Sequence, residues 1–567
     1  MEIPKFPGPV PLEMIGGSLI FENQESEADD PARDFSRGRY GHSEDQRLCL
    51  FFGPVKDETM LRKKGFIALQ DHGNGCVVAF RKIELKELPK FPMRLLAIFL
   101  ALSLPFAHSF AAESKPNILM ILADDMGYGD LGCMGSELLK TPNIDALAES
   151  GVLCPQAYVT SPVCSPSRAG LMTGRDPRRF GYQANLNKSE SSYHTRPEFL
   201  GVAPGEHTLG DHLGSAGYAT ALIGKWHLGK GPGFHPSERG FDHFSGMLGG
   251  SHGYFPKSKQ NQLERNGEPI EEFSNPYLTD FFTDEGIGWI TDQEKPWFLF
   301  MSYNAPHGPL QATEEDLARF ENIKDPKRRT YAAMMWALDR GVGRLRNHLE
   351  EAGQLEDTLI VFFSDNGGAT GNASWNGPLS GVKGCLKEGG VRVPMIWSWP
   401  GQLPKGERYE GVTSSLDLLP TFMAAASSEL LPLADLRPYE DKGNRKKARA
   451  DYGEYDGIDL IPLLKGESPP AERLLFWRLQ GQAAVLDGQN KLIRLSHRPA
   501  QMFQPAGDPG ESDDLSRSDP EGFEALFRKL GQWESSLPTI PLWGSSPMWS
   551  GQSAKHYDSW EVREEPK

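Results

Sequence analysis

Four short apolar runs punctuate the chain: ILMILA at 118–123, YATALI at 218–223, WFLFMS at 297–302 and TLIVFF at 358–363. Runs of this length without polar alternation predict strands covered on both faces, as in a parallel sheet. Helical stretches fall between them. Thr141 and Pro142 mark the start of a helix near Ile144 to Glu149. Residues 331–352 carry a helical period. This alternation predicts an α/β fold with a large, mostly parallel sheet sandwiched by helices. From Leu474 the pattern changes to short alternating stretches with a turn signal at Asp487-Gly488, followed by a helix over 520–533. That segment predicts a smaller C-terminal antiparallel sheet plus helix.

Residues 1–92 have neither period. They are followed by Met93-Arg94, a 13-residue apolar run (Leu95 to Ala107) and the small-residue end HSFAA. This is the anatomy of a secretory signal peptide, and it is too short for the ~20 residues of a membrane span. The expectation is that translation starts at Met93, that 1–92 is a mis-assigned extension, and that 93–112 is removed. A mature chain from Glu113 would then be secreted or periplasmic, with no stable membrane span. The expected domains are a catalytic one over 113–470 and a C-terminal subdomain with tail over 471–567. The tail from Pro538, with Trp543, Trp549 and Trp560, is expected to pack onto that subdomain.

Composition narrows the classes. The 567 residues are 38% hydrophobic and 24% charged, which excludes collagen, a long coiled coil and a fully disordered chain. A net charge of −16 argues against nucleic acid as a partner. Six cysteines are too few for a disulfide scaffold. Those beyond residue 112 are Cys133, Cys154, Cys164 and Cys385.

Each apolar run is followed by polar residues: Asp124 and Asp125 after the first, Lys225 and His227 (GKWHLG) after the second, His307 (NAPHGP) after the third, Asp365 and Asn366 (SDNGG) after the fourth. Ligands of open α/β sheets bind outside the carboxyl ends of the strands, so these clusters should converge. Asp124, Asp125, Asp365 and Asn366 are hard oxygen donors that favour Ca²⁺, or less well Mg²⁺. Lys225, Lys383 and Arg168 are candidate binders of a tetrahedral oxyanion. Cys164, in CSPSR (164–168), reads as the first residue of a helix. There the dipole favours a reactive thiolate of lowered pKa; the alternative is a buried structural cysteine.

CSPSR with the downstream TGR (173–175) resembles the signature of the type I, formylglycine-dependent sulfatases of the alkaline-phosphatase-type superfamily. The resemblance runs from Pro116 to about Asp514. It takes in KPNILMILADDMGYGDLG, GKWHLG, APHGP, SDNGG, Lys383 with Glu388-Gly389-Gly390, SSLDLLPTF, DGIDLIPLL and GDPGESDDL. No expected core position departs from the pattern. Residues 1–92 have no counterpart, and the charged stretch at 441–451 looks like an insertion.

The resemblance implies the fold above and sulfuric ester hydrolysis. It implies that a maturation enzyme oxidises Cys164 to Cα-formylglycine, whose hydrate is the nucleophile. Asp124, Asp125, Asp365, Asn366 and position 164 would hold Ca²⁺. Arg168 and Lys225 would stabilise the hydrate, and Lys383 would bind sulfate oxygens. His307 would be the general acid for the leaving oxygen, and His227 would take the proton that releases sulfate.

The expected substrate is a sulfated carbohydrate or small-molecule ester. His252, Tyr254, Arg265 and Asn266 are specificity candidates against ordinary loop packing. Two alternatives stand beside this reading: a phosphonate monoester or phosphodiester hydrolase with the same nucleophile, and an inert sulfated-glycan-binding relative.

Overall fold

The computed structural model describes residues 115–186, 201–256, 263–433, 454–496 and 498–537, together with two short strands near the start. The chain divides into two units, Met1–Glu113 and Ser114–Lys567. In the first, Leu12–Glu13 pairs antiparallel with Lys64–Gly65. The signal-peptide expectation at 93–112 and the tail from 538 lie outside the described residues.

In the second unit, eleven strands form one sheet: β1 (Asn117–Ala123), β2 (Val152–Tyr158), β3 (Ala219–Lys225), β4 (His243–Met247), β5 (Glu264–Arg265), β6 (Glu268–Pro269), β7 (Trp297–Ser302), β8 (Thr358–Ser364), β9 (Arg392–Ser398), β10 (Glu407–Arg408) and β11 (Thr413–Ser414). Their order is β10-β2-β9-β8-β1-β7-β3-β4-β5-β6, with β11 also on β2. The central β8, β1, β7, β3 and β4 are parallel. β9 runs antiparallel to both its neighbours.

The apolar runs are continuous because both sheet faces are covered. Leu119, Ile121 and Ala123 of β1 pack with Leu299, Met301, Ile360 and Phe362 under α1 (Pro142–Glu149), α4 (Leu278–Thr291) and α5 (Pro326–Glu351). Ile118, Met120 and Leu122 pack on the opposite face with Phe298, Phe300, Val361 and Phe363. α2 (Cys164–Thr173), α3 (Leu209–Ser215) and α6 (Leu418–Ala425) cover that face. Burying each such side chain stabilises the fold by about 1.5–3 kcal/mol, which holds the strand ends in fixed register.

The smaller sheet has four antiparallel strands, β12 (Leu474–Leu479), β13 (Gln482–Asp487), β14 (Asn490–Leu495) and β15 (Gln501–Phe503). Gly488, with φ 59°, makes the expected turn. One face carries α7 (Pro520–Ser536) through Leu526, Leu530 and Trp533. The other, through Leu475, Trp477, Leu486 and Ile493, packs on Tyr158, Leu386 and Val391 of the large domain.

Candidate active site

Register brings the site together. Ala123 pairs with Ser364, and Ser302 pairs with both Leu122 and Gly224. Asp124, Asp365, Lys225 and the loop to His307 therefore leave the sheet at one level. Backbone bonds continue the ladder past the strands, with Asp124 N on Ala305 O (3.0 Å) and Asp365 N on Ala123 O (3.0 Å). Asp125 follows with a left-handed φ of 64°, an uncommon state for a residue with a Cβ.

α2 supplies the fourth wall. All ten of its residues are buried, and Cys164 is its first. Ser165 Oγ donates to His227 O (2.7 Å), and Ser165 N donates to Asn185 Oδ1 (2.9 Å). Cys164 Sγ lies 3.6 Å from Asp124 Oδ1, 3.9 Å from Asp125 Oδ1 and 3.0 Å from Lys383 Nζ. Ligand atoms of Asp124, Asp125, Cys164 and His307 all lie within 4.8 Å of one another, a group able to hold a metal ion.

The acids and bases are not separate halves of the site. Lys225 Nζ meets Asp124 Oδ2 at 2.5 Å, and Lys383 Nζ meets Asp125 Oδ1 at 2.5 Å. Arg168 Nε meets Asp365 Oδ2 at 2.9 Å, and its NH1 donates to Ser302 Oγ (2.7 Å) and Lys225 O (3.1 Å). Each carboxylate thus has a cation of this chain beside it, which is what lets three acids crowd. Asn366 Nδ2 donates to Asp125 Oδ1 (2.7 Å), whereas its Oδ1 is buried with no hydrogen bond. A buried oxygen without a partner is costly unless a cation or proton meets it.

These contacts set the protonation states. Burial would raise the Asp124 and Asp125 carboxyls. Lys225 at Asp124, Lys383 at Asp125 and His307 at both outweigh it and hold them below the usual range. Asp365 is pushed up to about 6 by burial and by the charge of Asp124. His227 is held well below its ordinary value by burial, then by Lys225 and Arg168. Its Nδ1 is buried and unpaired, and its φ is 59°. His307 is lowered by burial, against Asp124 and Asp125. The His307 side chain is 24% exposed, far more than Asp124, Asp125 or Lys383, so it stands where the site meets solvent.

One expectation is corrected. The Cys164 thiol is not acidified by its helix: burial pushes it up to about 12, although Lys225 and Lys383 pull the other way.

Two positions, Asn372 and Gly250, escaped the sequence reading, and a third has a place it did not foresee. Tyr254, a specificity candidate, is fully buried; its hydroxyl reaches Asn304 O (2.6 Å) and His307 O (2.9 Å) and so holds the His307 loop. Asn372 Nδ2 bridges Asp125 O (3.1 Å) and Pro306 O (3.3 Å). Gly250 is a glycine because a Cβ there would lie 2.7 Å from Nε2 of His227. Arg265 pairs with Glu285, and Asn266 Oδ1 accepts from Phe244 N, so both are structural. His252 is buried, with Nδ1 at 2.5 Å from Gly253 O.

Comparisons with known proteins agree. The Sulfatase family model matches residues 116–428. N-acetylgalactosamine-6-sulfatase of Canis lupus familiaris is 33% identical over 413 residues, covering 70% of this chain and 74% of that protein. Arylsulfatase A of Bos taurus is 31% identical over 516 residues and that of Homo sapiens 31% identical over 514, each match covering 80% of this chain and 94% of the relative. The crystal structure of Ps i-CgsB in complex with k-i-k-neocarrahexaose superposes with a TM-score of 0.68 at 36% identity, covering 78% of this chain and 98% of that one. With the family model spanning more than half the chain, this protein belongs to the sulfatase family and is an enzyme that hydrolyses sulfate esters.

Proposed function

We propose that the enzyme removes sulfate from a sulfated carbohydrate, with position 164 carried as Cα-formylglycine and Ca²⁺ among Asp124, Asp125, Asp365, Asn366 and position 164. The observation that carries this is the thiol itself. Cys164 Sγ, 3.0 Å from Lys383 Nζ and 3.6 and 3.9 Å from carboxylate oxygens of Asp124 and Asp125, stands where the cationic side chains meet the acids, the place a nucleophile on a bound sulfate would take. The hydrated aldehyde at 164 would supply the attacking oxygen.

The unpaired Asn366 Oδ1 and the oxygen-rich donor set fit a hard cation. Bound there, the ion would supply Lewis-acid charge to the sulfate oxygens. Three aspartates already face three cationic side chains, so a divalent ion leaves the pocket positive and matched to an anionic ester. A carbohydrate is supported by what the relatives are named for: a 6-sulfated N-acetylgalactosamine in one, a carrageenan oligosaccharide bound to another.

The chain's own residues divide the work. Lys383 holds sulfate oxygens. Lys225, fixed by Asp124, and Arg168, fixed by Asp365, stabilise charge developing at position 164. Arg168 NH2 is buried without a hydrogen bond and is its available donor. His307 Nε2, at the solvent edge, delivers a proton to the leaving alcohol oxygen. His227 Nδ1, held neutral by burial, accepts one.

The proposal includes export through 93–112 to a secreted or periplasmic location, after which Glu113 is the first residue. It also includes the division into 113–470 and 471–567. Among the described residues no helix is long and apolar enough to cross a membrane.

Protein co-produced with a formylglycine-generating enzyme tests the reading. Turnover of 4-nitrophenyl sulfate should exceed that of 4-nitrophenyl phosphate and phosphonate esters, and a sulfated glycan should release inorganic sulfate. Cys164→Ala should stay folded and be inactive. Faster phosphonate than sulfate turnover would move the enzyme to the alternative class.

A further inference from the structure

We infer that the C-terminal subdomain is a positioning device for Lys383, acting through Gln482, Lys491 and Glu511. This rests on the reading of Lys383 as a sulfate-binding group.

Lys383 sits on a segment without regular secondary structure, between Ser380 and the short helical turn at Glu388–Val391. The large domain holds it through Lys383 N on Gly368 O (3.0 Å), Gly384 N on Pro162 O (2.9 Å) and Lys383 Nζ on Asp125 and Cys164. A second set of ties comes from the small sheet and the loop that follows it. Gln482, on β13 and 5% exposed, donates from Nε2 to Gly384 O at 2.9 Å, the carbonyl next after Lys383. Lys491, on β14 and fully buried, places Nζ 2.7 Å from Glu388 Oε1 and 3.1 Å from Glu511 Oε1. Glu511 Oε2 accepts from Glu388 N (2.8 Å) and from Ser380 Oγ (3.2 Å). Ser380 N donates to Pro509 O (3.2 Å). Both ends of the segment, and the peptide beside Lys383, are therefore tied to β13, β14 and the 507–515 loop.

The cluster is closed. Tyr158 OH donates to Glu388 Oε2 (2.8 Å), and Arg392 NH1 lies 3.3 Å from the same oxygen. Two buried glutamates are thus balanced by one lysine and one arginine. Such a cluster is a poor source of net stability, because desolvation offsets most of the attraction. It is, however, geometrically exacting, since each member fixes its neighbours. That is the property a positioning element needs: small errors in the placement of a charge that meets the transition state cost large factors in rate.

A double-mutant cycle tests the inference. Gln482→Leu removes the tie to Gly384 while keeping the side-chain volume. In the wild-type background it should lower kcat/KM for sulfate esters by about tenfold. In the Lys383→Ala background it should cost less than twofold, because the group it positions is gone. Lys491→Met, if it folds, should behave in the same way. Arg494→Ala is the control: it breaks the Arg494–Glu534 pair on the same β14 strand, and should lower the melting temperature without changing kcat/KM. An equal loss for Gln482→Leu in both backgrounds would overturn the inference, as would no loss in either. Unchanged kcat/KM in Lys383→Ala itself would instead remove the role assigned to Lys383.

Discussion

Replacing Tyr254 by Phe removes one oxygen atom from the back of the site. The ring is fully buried and stacked on Tyr277 with centroids 5.7 Å apart, so Phe fills the same space. The hydroxyl it lacks stands 2.6 Å from Asn304 O and 2.9 Å from His307 O. Asn304 O keeps a donor in His307 N at 2.9 Å. The unmet carbonyl is therefore that of His307. His307 is only half-buried, so losing this hydrogen bond costs about 0.5–1.5 kcal/mol rather than the full penalty of a buried acceptor. The loss falls on the residue assigned to protonate the leaving oxygen, so it should be read in substrates that need that proton. Nitrophenolate leaves unaided; a sugar alkoxide does not. We expect kcat on a sugar sulfate to fall about tenfold, equivalent to about 1.4 kcal/mol, and kcat on 4-nitrophenyl sulfate to change less than twofold. Paired assays of the two substrates on the same preparation decide the matter. An equal fall on both, or no fall on the sugar sulfate, would refute the link between Tyr254 and the proton delivered by His307.

Gly250→Ala would set a Cβ 2.7 Å from Nε2 of His227, so the imidazole must turn; kcat should fall while the melting temperature changes little, and an unchanged kcat would count against a role for that ring. Arg473→Met removes the only cation paired with buried Asp417 among the ion pairs of the described residues, leaving its carboxylate the backbone N–H groups of Ser414 (2.7 Å) and Ile458 (3.0 Å); urea unfolding should show a loss of about 3 kcal/mol. Exhaustive chelation should abolish turnover and lower the melting temperature, with calcium restoring both more fully than magnesium; full activity in chelator would remove the metal from the account.

The strands of the central sheet were legible because their surroundings are the same on both faces: β7 runs over 297–302 as expected, and β1, β3 and β8 differ from expectation by a few residues at their ends. The convergence of Asp124, Lys225, His307 and Asp365 was legible for the related reason that parallel strands in register end at one level. What the pattern could not carry was pairing across the site. Nothing local to Lys383 announces that it faces Asp125, nor that Arg168 spends itself on Asp365. The helix-dipole argument for Cys164 failed because it counts the local field and not the burial of all of α2, which dominates. Tyr254 and Asn372 carry no motif: a tyrosine and an asparagine in loops gain their role only when two distant segments are brought against them. The first hairpin turn of the small sheet, between β12 and β13, where Gln480 takes φ 55°, likewise has no Asn-Gly or Asp-Gly signal.

The account turns on the chemical identity of position 164. Mass measurement of the tryptic peptide spanning CSPSR, from protein active on a sulfate ester, tests it most directly. The account predicts a peptide lighter than the cysteine form by the difference between thiol and aldehyde, reactive toward hydrazine, and present in proportion to activity across preparations. A fully active enzyme whose peptide carries intact, alkylatable cysteine would contradict it.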